Sequence, residues 1–325
     1  MKTLVVAEYG VRLRASGETI LVETREKKLK VPVGEVDQII VATGAVSITS
    51  SLVRLLARHG VEIVFTTGRG EPLALLYAPH YTRTPTTRRE QYLAMLDGRG
   101  NAIAAAMAWS KTWNQAKHLE WRAVENHRPE LREEASRIRE RCEKLRLLRD
   151  PEPRSVLRLE AEAARIYWSG IASLLPETLG FNGRDPDAGD PLNTALNYSY
   201  AILYSAAWRN LLMAGLDPYA GFLHADRSGK PVLVYDYSDM FKPGLIDYAL
   251  IDLARSGWSP EVKHGVLTPK SRARLAEAVL RRMKHRTRTL ADPHSVSYED
   301  ALRIYAYRLA KALRDRTAYQ GFAER

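Results

Sequence analysis

Apolar and polar residues alternate along the first part of the chain, which is the pattern of half-buried β-strands. Lys28–Val33 shows the alternation clearly, and Ser16-Gly17 marks a hairpin turn between two earlier runs. Thr49–His59 instead has leucines at helical spacing after a capping threonine or serine, and it stops before Gly60. We therefore predict six or so strands and one short helix, which together form a small sheet-based domain over residues 1–78.

Residues 79–87 have no periodicity and contain Pro79, Pro85 and several threonines, which predicts a linker. Beyond the linker, apolar residues recur at helical spacing. The predicted helices are Arg88–Leu96, Ile103–Val124, Pro129–Leu148, Ser155–Leu174, Leu192–Ala214, Tyr237–Arg255, Ser271–Arg286 and Tyr298–Asp315. The predicted fold class is α+β, with a small N-terminal β-sheet domain followed by a larger all-helical C-terminal domain, residues 88–325.

Cysteine content and hydropathy indicate where in the cell the protein is expected and whether it has a membrane span. Cys142 is the only cysteine, so the chain forms no internal disulfide and no thiolate zinc site. We expect a reducing, cytoplasmic location. The longest uncharged stretch, Pro191–Trp208, contains asparagines and serines, so it predicts a buried helix and no membrane span.

The net charge favours an anionic partner. It is +11, with a pI near 9.7, which indicates nucleic acid first and an anionic membrane surface second. Lys263–Arg288 has nine basic residues against the single acid Glu277. A helix with these basic residues can neutralise several phosphates of a nucleic acid, although an ordinary solvent-exposed helix face explains the charges equally well.

Several common catalytic patterns are absent from the sequence. It has no G-x-x-x-x-G-K-[ST] phosphate loop, so nucleotide hydrolysis is not expected. It also lacks a G-x-G-x-x-G fingerprint, an H-E-x-x-H pair and a G-x-S-x-G nucleophile elbow.

Three segments combine acids and a histidine. Glu160 shares a helix face with the small residues Ala163 and Ala164, which leave room for a close neighbour or a metal ion. His224 lies in an apolar context before a loop, and Asp236 and Asp239 mark an acidic helix start. Structural roles explain each segment separately: a surface glutamate, a core histidine, and an N-cap with a first-turn acid.

Taken together, one histidine and several carboxylates suit Mg²⁺ or Mn²⁺, which can act on a phosphodiester. Spacing alone leaves open whether the three segments meet.

At these residues the sequence resembles CRISPR-associated protein 1, the DNA integrase of CRISPR adaptation, over nearly the whole chain. Thr3–Tyr77 resembles that family's N-terminal β domain. The motifs that carry the resemblance are Lys111-Thr112-Trp113-Asn114-Gln115, Glu160 through Ala163-Ala164-Arg165 to Tyr167, Gly215-Leu216-Asp217-Pro218 through Gly221-Phe222-Leu223-His224, and Asp236 through Pro243.

The resemblance implies that Glu160, His224 and Asp239 bind a catalytic Mg²⁺ or Mn²⁺ ion, with Asp236 as a supporting catalytic acid. Three residues depart from the family pattern. Ala161 replaces a glycine, Asp239 stands where many members have glutamate, and Lys242 replaces an arginine and loses its bidentate fork for phosphate. None of these changes removes a type of ligand.

The implied reaction is integration, in which the 3′-hydroxyl of a captured DNA fragment attacks a phosphodiester at the edge of a CRISPR repeat. The implied partners are double-stranded DNA, as protospacer and repeat, a second copy of the chain that pairs through the β domain, and a bridging dimer of CRISPR-associated protein 2. Two alternatives stay open: a stand-alone structure-selective nuclease that uses water, and a non-catalytic DNA-binding scaffold. Expected phosphate contacts are Arg165, Lys242, Arg281, Arg282 and Lys284.

Overall fold

The computed structural model describes residues 3–67, 72–78, 85–148, 151–225 and 228–325. By its internal packing the chain divides into two units, Met1–Tyr81 and Thr82–Arg325.

The N-terminal unit contains two four-stranded sheets, with strand orders β1-β5-β7-β8 and β4-β3-β2-β6. In the first sheet β1, β5 and β7 run parallel and β8 is antiparallel. In the second, β6 runs parallel to β2, while β2, β3 and β4 form an antiparallel meander. The elements are β1 (Thr3–Val6), β2 (Val11–Ser16), β3 (Thr19–Glu23), β4 (Lys28–Pro32), β5 (Gln38–Val41), β6 (Val46–Ile48), α1 (Ser50–His59), β7 (Glu62–Thr66) and β8 (Pro72–Leu76).

One apolar core joins the two sheets and α1. It includes Leu13 and Ile39, from different sheets, and Leu55 from the helix. Thr49 caps α1 by accepting a hydrogen bond from the Leu52 amide at 3.4 Å, and Gly60 ends the helix with a φ of 67°. These features confirm the predicted cap and stop. The short strand β6 was not predicted, because three residues carry too little periodicity.

The C-terminal unit is mostly helical. Its α-helices are α2 (Pro85–Leu96), α3 (Arg99–Glu125), α4 (Glu130–Arg146), α5 (Pro153–Ala172), α6 (Pro191–Met213), α7 (Val232–Asp239), α8 (Tyr248–Arg255), α9 (Pro269–Met283) and α10 (Tyr298–Asp315). Proline opens α5 and α6, where its missing amide costs nothing, and Asp190 caps α6. A β-sheet region followed by a mostly helical region confirms the predicted fold class.

Three details of the C-terminal unit differ from the prediction. Residues 85–87, assigned to the linker, lie in α2, while 79–84 fall outside the described residues. The unit also contains two hairpins, which are β9 (Val262–Lys263) with β10 (Val266–Leu267), and β11 (Arg286–Thr289) with β12 (Asp292–Ser297).

The third difference is that the helix predicted over Tyr237–Arg255 is divided. A π-helical segment, Lys242–Asp247, separates α7 from α8. Pro243 has no amide to donate to the carbonyl of Asp239, so the α-helical hydrogen bonding cannot continue there.

The uncharged stretch Pro191–Trp208 was predicted to form a buried helix and not a membrane span. None of the helices in the described ranges combines the length and the apolar content that a membrane span requires. Pro191–Trp208 lies within α6, most of whose side chains are buried.

Candidate metal centre

Glu160 lies on the buried face of α5. The side chains of that face include Val156, Leu159, Ala163 and Tyr167, and Glu160 itself is only 7% exposed. A carboxylate at this depth needs a charged or hydrogen-bonding partner. The interpretation of Glu160 as a surface glutamate is therefore wrong.

Asp236 is fully buried inside α7, and its predicted role as an N-cap is wrong. The helix begins at Val232, and the amide of Leu233 donates instead to the carbonyl of Pro218 at 3.0 Å. A backbone group from a distant segment therefore satisfies the first turn, which no local sequence signal could show.

Asp236 instead organises the segment that contains His224. Its carboxylate accepts hydrogen bonds from the amides of Phe222 and Leu223, at 2.8 and 2.9 Å, and from Nδ1 of His224 at 2.5 Å. Gly221 permits this approach, because a Cβ there would lie 2.8 Å from Oδ2 of Asp236. Since a carboxylate only accepts, the Nδ1 proton faces Asp236 and Nε2 is left as the free ring nitrogen.

His224 itself is partly open to solvent, with its side chain 43% exposed. The hydrogen bond to Asp236 raises its pKa, burial opposes this rise, and the charges of Asp239 and Glu160 contribute further to it. His224 therefore lies within electrostatic range of both carboxylates, and it is not a core histidine.

Asp239 and Glu160 converge on the ammonium group of Lys111, which reaches them from α3. Lys111 Nζ lies 2.6 Å from Oδ2 of Asp239 and also pairs with Oε1 of Glu160. Lys242 pairs with the other oxygen of Asp239. Burial raises the pKa of Asp239, but the two lysine charges outweigh burial and hold that pKa well below its usual range.

This donor set fits a hard divalent cation. Carboxylate oxygens and one imidazole nitrogen are ligands that Mg²⁺ and Mn²⁺ accept, and a cation, the Lys111 ammonium, already lies between the two carboxylates. As the side chains stand, no three His, Cys, Asp or Glu residues within the described ranges are arranged to hold an ion.

The expected phosphate contacts have different surroundings. Arg165, Arg281 and Lys284 are exposed, whereas Lys242 is at the centre described above. Arg282 is used internally: it donates to the carbonyl of Gly244 at 2.9 Å, and its guanidinium lies 3.6 Å from the ring centroid of Tyr248. Part of the Arg282 guanidinium is thus held by internal contacts, and its predicted contact with a DNA phosphate stays a prediction.

Lys111 and Asn114 are functional candidates to which the sequence reasoning gave no role. Asn114 lies one turn after Lys111, and its amide donates to the carbonyls of Met240 and Phe322, at 2.7 and 3.0 Å. Met240 directly follows Asp239, so Asn114 ties α3 to the end of α7. Both residues belong to the Lys111–Gln115 run, which was the signal that could have identified them.

A second buried polar cluster is centred on Asp247. Asp247 accepts hydrogen bonds from the hydroxyls of Tyr167 and Tyr200, at 3.0 and 2.7 Å, and Tyr167 also pairs with His118. Burial raises the pKa of Asp247 to about 6. The cluster links α3, α5, α6 and the π-helical segment, so it holds together the elements that surround the centre.

Comparisons with known proteins identify the family to which the chain belongs. A sequence profile of the family described as CRISPR associated protein Cas1 matches residues 4–285. A CRISPR-associated endonuclease Cas1 of Saccharolobus solfataricus is 36% identical over 323 residues, which cover 99% of this chain and 98% of that protein. The chain belongs to the CRISPR-associated Cas1 family. That membership confirms the resemblance drawn from the motifs.

Solved structures show the same fold. A casposase bound to an integration product matches with a TM-score of 0.81 at 21% identity, covering 98% of this Cas1 chain and 93% of the other. A chain of a Cas6-RT-Cas1–Cas2 complex matches with a TM-score of 0.77 at 20% identity, covering 98% of this chain and 36% of that one. The Cas1 fold is thus shared with a casposase solved with its integration product and with a chain of a complex that contains Cas2.

Proposed function

We propose that the chain is a divalent-metal-dependent DNA endonuclease and integrase, which joins the 3′-hydroxyl of a captured DNA fragment to the edge of a CRISPR repeat. The observation that carries the proposal is the convergence of Glu160 and Asp239 on one cation, within electrostatic range of His224. Membership of the Cas1 family supports it.

Glu160, Asp239 and Nε2 of His224 would hold an Mg²⁺ or Mn²⁺ ion. When bound, such an ion activates the attacking hydroxyl and stabilises the departing oxygen. Asp236 orients the His224 ring as a positioning residue. Lys242, over the rings of Tyr200 and Tyr204, is directed at the same region and would balance phosphate charge. Transesterification requires no nucleotide, which agrees with the missing phosphate loop.

The proposed partners follow from charge and fold. The net charge of +11 suits double-stranded DNA, both as protospacer and as repeat. Exposed Arg165, Arg281 and Lys284 are proposed backbone contacts. We also propose a homodimer that forms through the β domain, 1–78, and a bridging Cas2 dimer; the fold match to a Cas1–Cas2 complex supports the latter.

Hydrolysis by the same centre is the second candidate function, because the relative from Saccharolobus solfataricus is named an endonuclease. Water would then replace the 3′-hydroxyl as nucleophile. An assay on branched DNA, with and without Cas2, distinguishes integration from hydrolysis. Integration gives joined strands, and hydrolysis gives only shortened ones. The scaffold alternative finds no support, because Asp236 and Asp239 do not cap a helix.

A strand-transfer assay with labelled fragment, repeat duplex and Mn²⁺ or Mg²⁺ tests the proposal. Glu160→Gln is expected to lower the rate by about 10²-fold or more, because it removes a ligand charge without changing shape. Glu162→Gln is the matched control, since Glu162 lies on the same helix and pairs with Arg158 at the surface. Equal rates for Glu160→Gln and the parent would refute the proposal.

A further inference from the structure

Lys111 occupies an unusual position for a lysine. Its ammonium bridges the two carboxylates of the proposed metal site, and its side chain is 16% exposed while those of Glu160 and Asp239 are each 9% exposed. Lys111 reaches the site from α3, whereas the two acids belong to α5 and α7. Lys111 thus links three helices through two hydrogen-bonded ion pairs.

The charges of this cluster already balance. Glu160 and Asp239 contribute two negative charges, and Lys111 and Lys242 contribute two positive ones. A divalent ion added to these four side chains would leave two positive charges, of which the Asp236 carboxylate beside His224 offsets one. The remaining positive charge would be uncompensated in a buried place, which is costly. The ion would also need the carboxylate oxygens that Lys111 now contacts, so ion and ammonium compete for one position.

The two lysines are not equivalent competitors. Lys242 is anchored on a second side, because its ammonium lies 4.6 Å from the ring centroid of Tyr200 and 5.2 Å from that of Tyr204. Lys111 forms its hydrogen bonds to the two carboxylates.

We propose that Lys111 is an internal cation that holds Glu160 and Asp239 together in the metal-free enzyme and is displaced when a divalent ion and DNA bind. This inference rests on the proposed function, because it assumes that the ion binds at these carboxylates. A DNA phosphate offers the displaced ammonium a new anionic partner.

Positive linkage between ion and DNA follows from this role. When a DNA phosphate pairs with the Lys111 ammonium, the ion no longer has to compete with Lys111 for the carboxylates. When the ion displaces Lys111 from the carboxylates, the ammonium becomes available to DNA. By thermodynamic reciprocity each ligand then tightens the binding of the other by the same factor.

The test is a Mn²⁺ titration of the full chain followed by electron paramagnetic resonance, with and without a duplex that has 3′-dideoxy ends to prevent reaction. We expect the duplex to tighten Mn²⁺ binding by roughly ten-fold in the parent. Lys111→Met is expected to bind Mn²⁺ roughly ten-fold tighter than the parent without DNA, and to gain little on DNA addition. Lys117→Met is the matched control, because Lys117 lies on the same helix and pairs with the half-buried Glu120, away from the two carboxylates.

Weaker or unchanged Mn²⁺ binding by Lys111→Met would overturn the proposal, because Lys111 would then support the site or play no part in it. Should Lys111→Met fail to fold, Lys111→Arg provides the test instead. A guanidinium forms stronger hydrogen bonds to two carboxylates than an ammonium does, so Mn²⁺ binding should weaken. Unchanged binding by Lys111→Arg would contradict the proposal.

Glu160→Gln separates this inference from the proposed function. If the parent binds Mn²⁺ and Glu160→Gln binds it equally well, the ion is elsewhere and the proposed function fails. If Glu160→Gln loses the ion while Lys111→Met binds it no more tightly than the parent, only the role of Lys111 fails.

Discussion

Asp239 and Asp247 are both buried, lie a short way apart in the chain and behave in opposite ways. Asp239 contacts the ammonium groups of Lys111 and Lys242, and its pKa is held well below the usual range. Asp247 contacts the neutral hydroxyls of Tyr167 and Tyr200, and burial raises its pKa to about 6. The charge of the partners, rather than burial, decides which carboxylate is firmly ionised.

This difference separates a reactive cluster from a structural one. A firmly ionised carboxylate beside a cation suits a metal ligand. A carboxylate that accepts hydrogen bonds from the tyrosine hydroxyls of two helices holds those helices together. Tyr167 lies two turns after Glu160 on α5, so the structural cluster sets the position of the reactive one.

The largest expected effect is on catalysis and comes from the reactive cluster. Asp239→Asn should lower the strand-transfer rate by about 10³-fold, because a neutral amide is a poor ligand for a divalent ion. The rate is measured with saturating Mn²⁺. Asp247→Asn is the contrasting variant, with a loss mainly in the free energy of unfolding. Equal losses of rate in the two variants would break the distinction between the clusters.

The next effect is a pH dependence of stability from Asp247. Its pKa rises from an ordinary 3.8 to about 6 on folding, so between these values the folded state retains a proton that the unfolded state has released. The contribution of Asp247 to stability is therefore fully present below about pH 4 and is lost as the pH rises through about 6, a change on the order of 3 kcal/mol.

Urea unfolding of the parent and of Asp247→Asn at pH 4 and pH 7 measures this change, because other titrating groups cancel in the difference. The parent should lose stability relative to the variant as the pH rises. A difference independent of pH would show that Asp247 is ionised like Asp239.

A smaller effect is expected from Asp236, which acts on the reactive cluster through His224. Asp236→Asn should weaken Mn²⁺ binding by about 10- to 100-fold, because the ring of His224 loses its fixed orientation. Calorimetric titration measures the affinity, and circular dichroism checks that the variant is folded. Unchanged affinity would mean that His224 is oriented by other contacts.

The smallest effect should come from Tyr167→Phe. The change removes hydroxyl contacts to Asp247 and His118 and should lower the free energy of unfolding by about 1–2 kcal/mol. Thermal unfolding measures it, and the strand-transfer rate below the melting temperature should change little. A rate loss comparable with that of Asp239→Asn would mean that this hydroxyl belongs to the reactive cluster.

Sequence reasoning predicted most elements of the fold, because strands such as Lys28–Pro32 and helices such as Tyr298–Asp315 have strong local periodicity. It failed where distant contacts decide. The start of α7 depends on the carbonyl of Pro218, and the π-helical segment Lys242–Asp247 divides a helix whose apolar pattern continues across it.

The candidate site was predicted through motif resemblance rather than through spacing. Spacing of Asp236 and Asp239 alone favoured a helix cap, and only the fold shows Asp236 turned towards His224. Lys111 had no predicted role, because nothing local to α3 indicates that acids from α5 and α7 meet there.

X-ray diffraction of crystals soaked in Mn²⁺, recorded at the manganese absorption edge, shows directly whether Glu160, Asp239 and His224 bind one ion. We expect an anomalous peak within coordination distance of Glu160, Asp239 and Nε2 of His224, with Lys111 moved aside. A peak away from these three side chains, or none at saturating Mn²⁺, would show that they do not form the metal site.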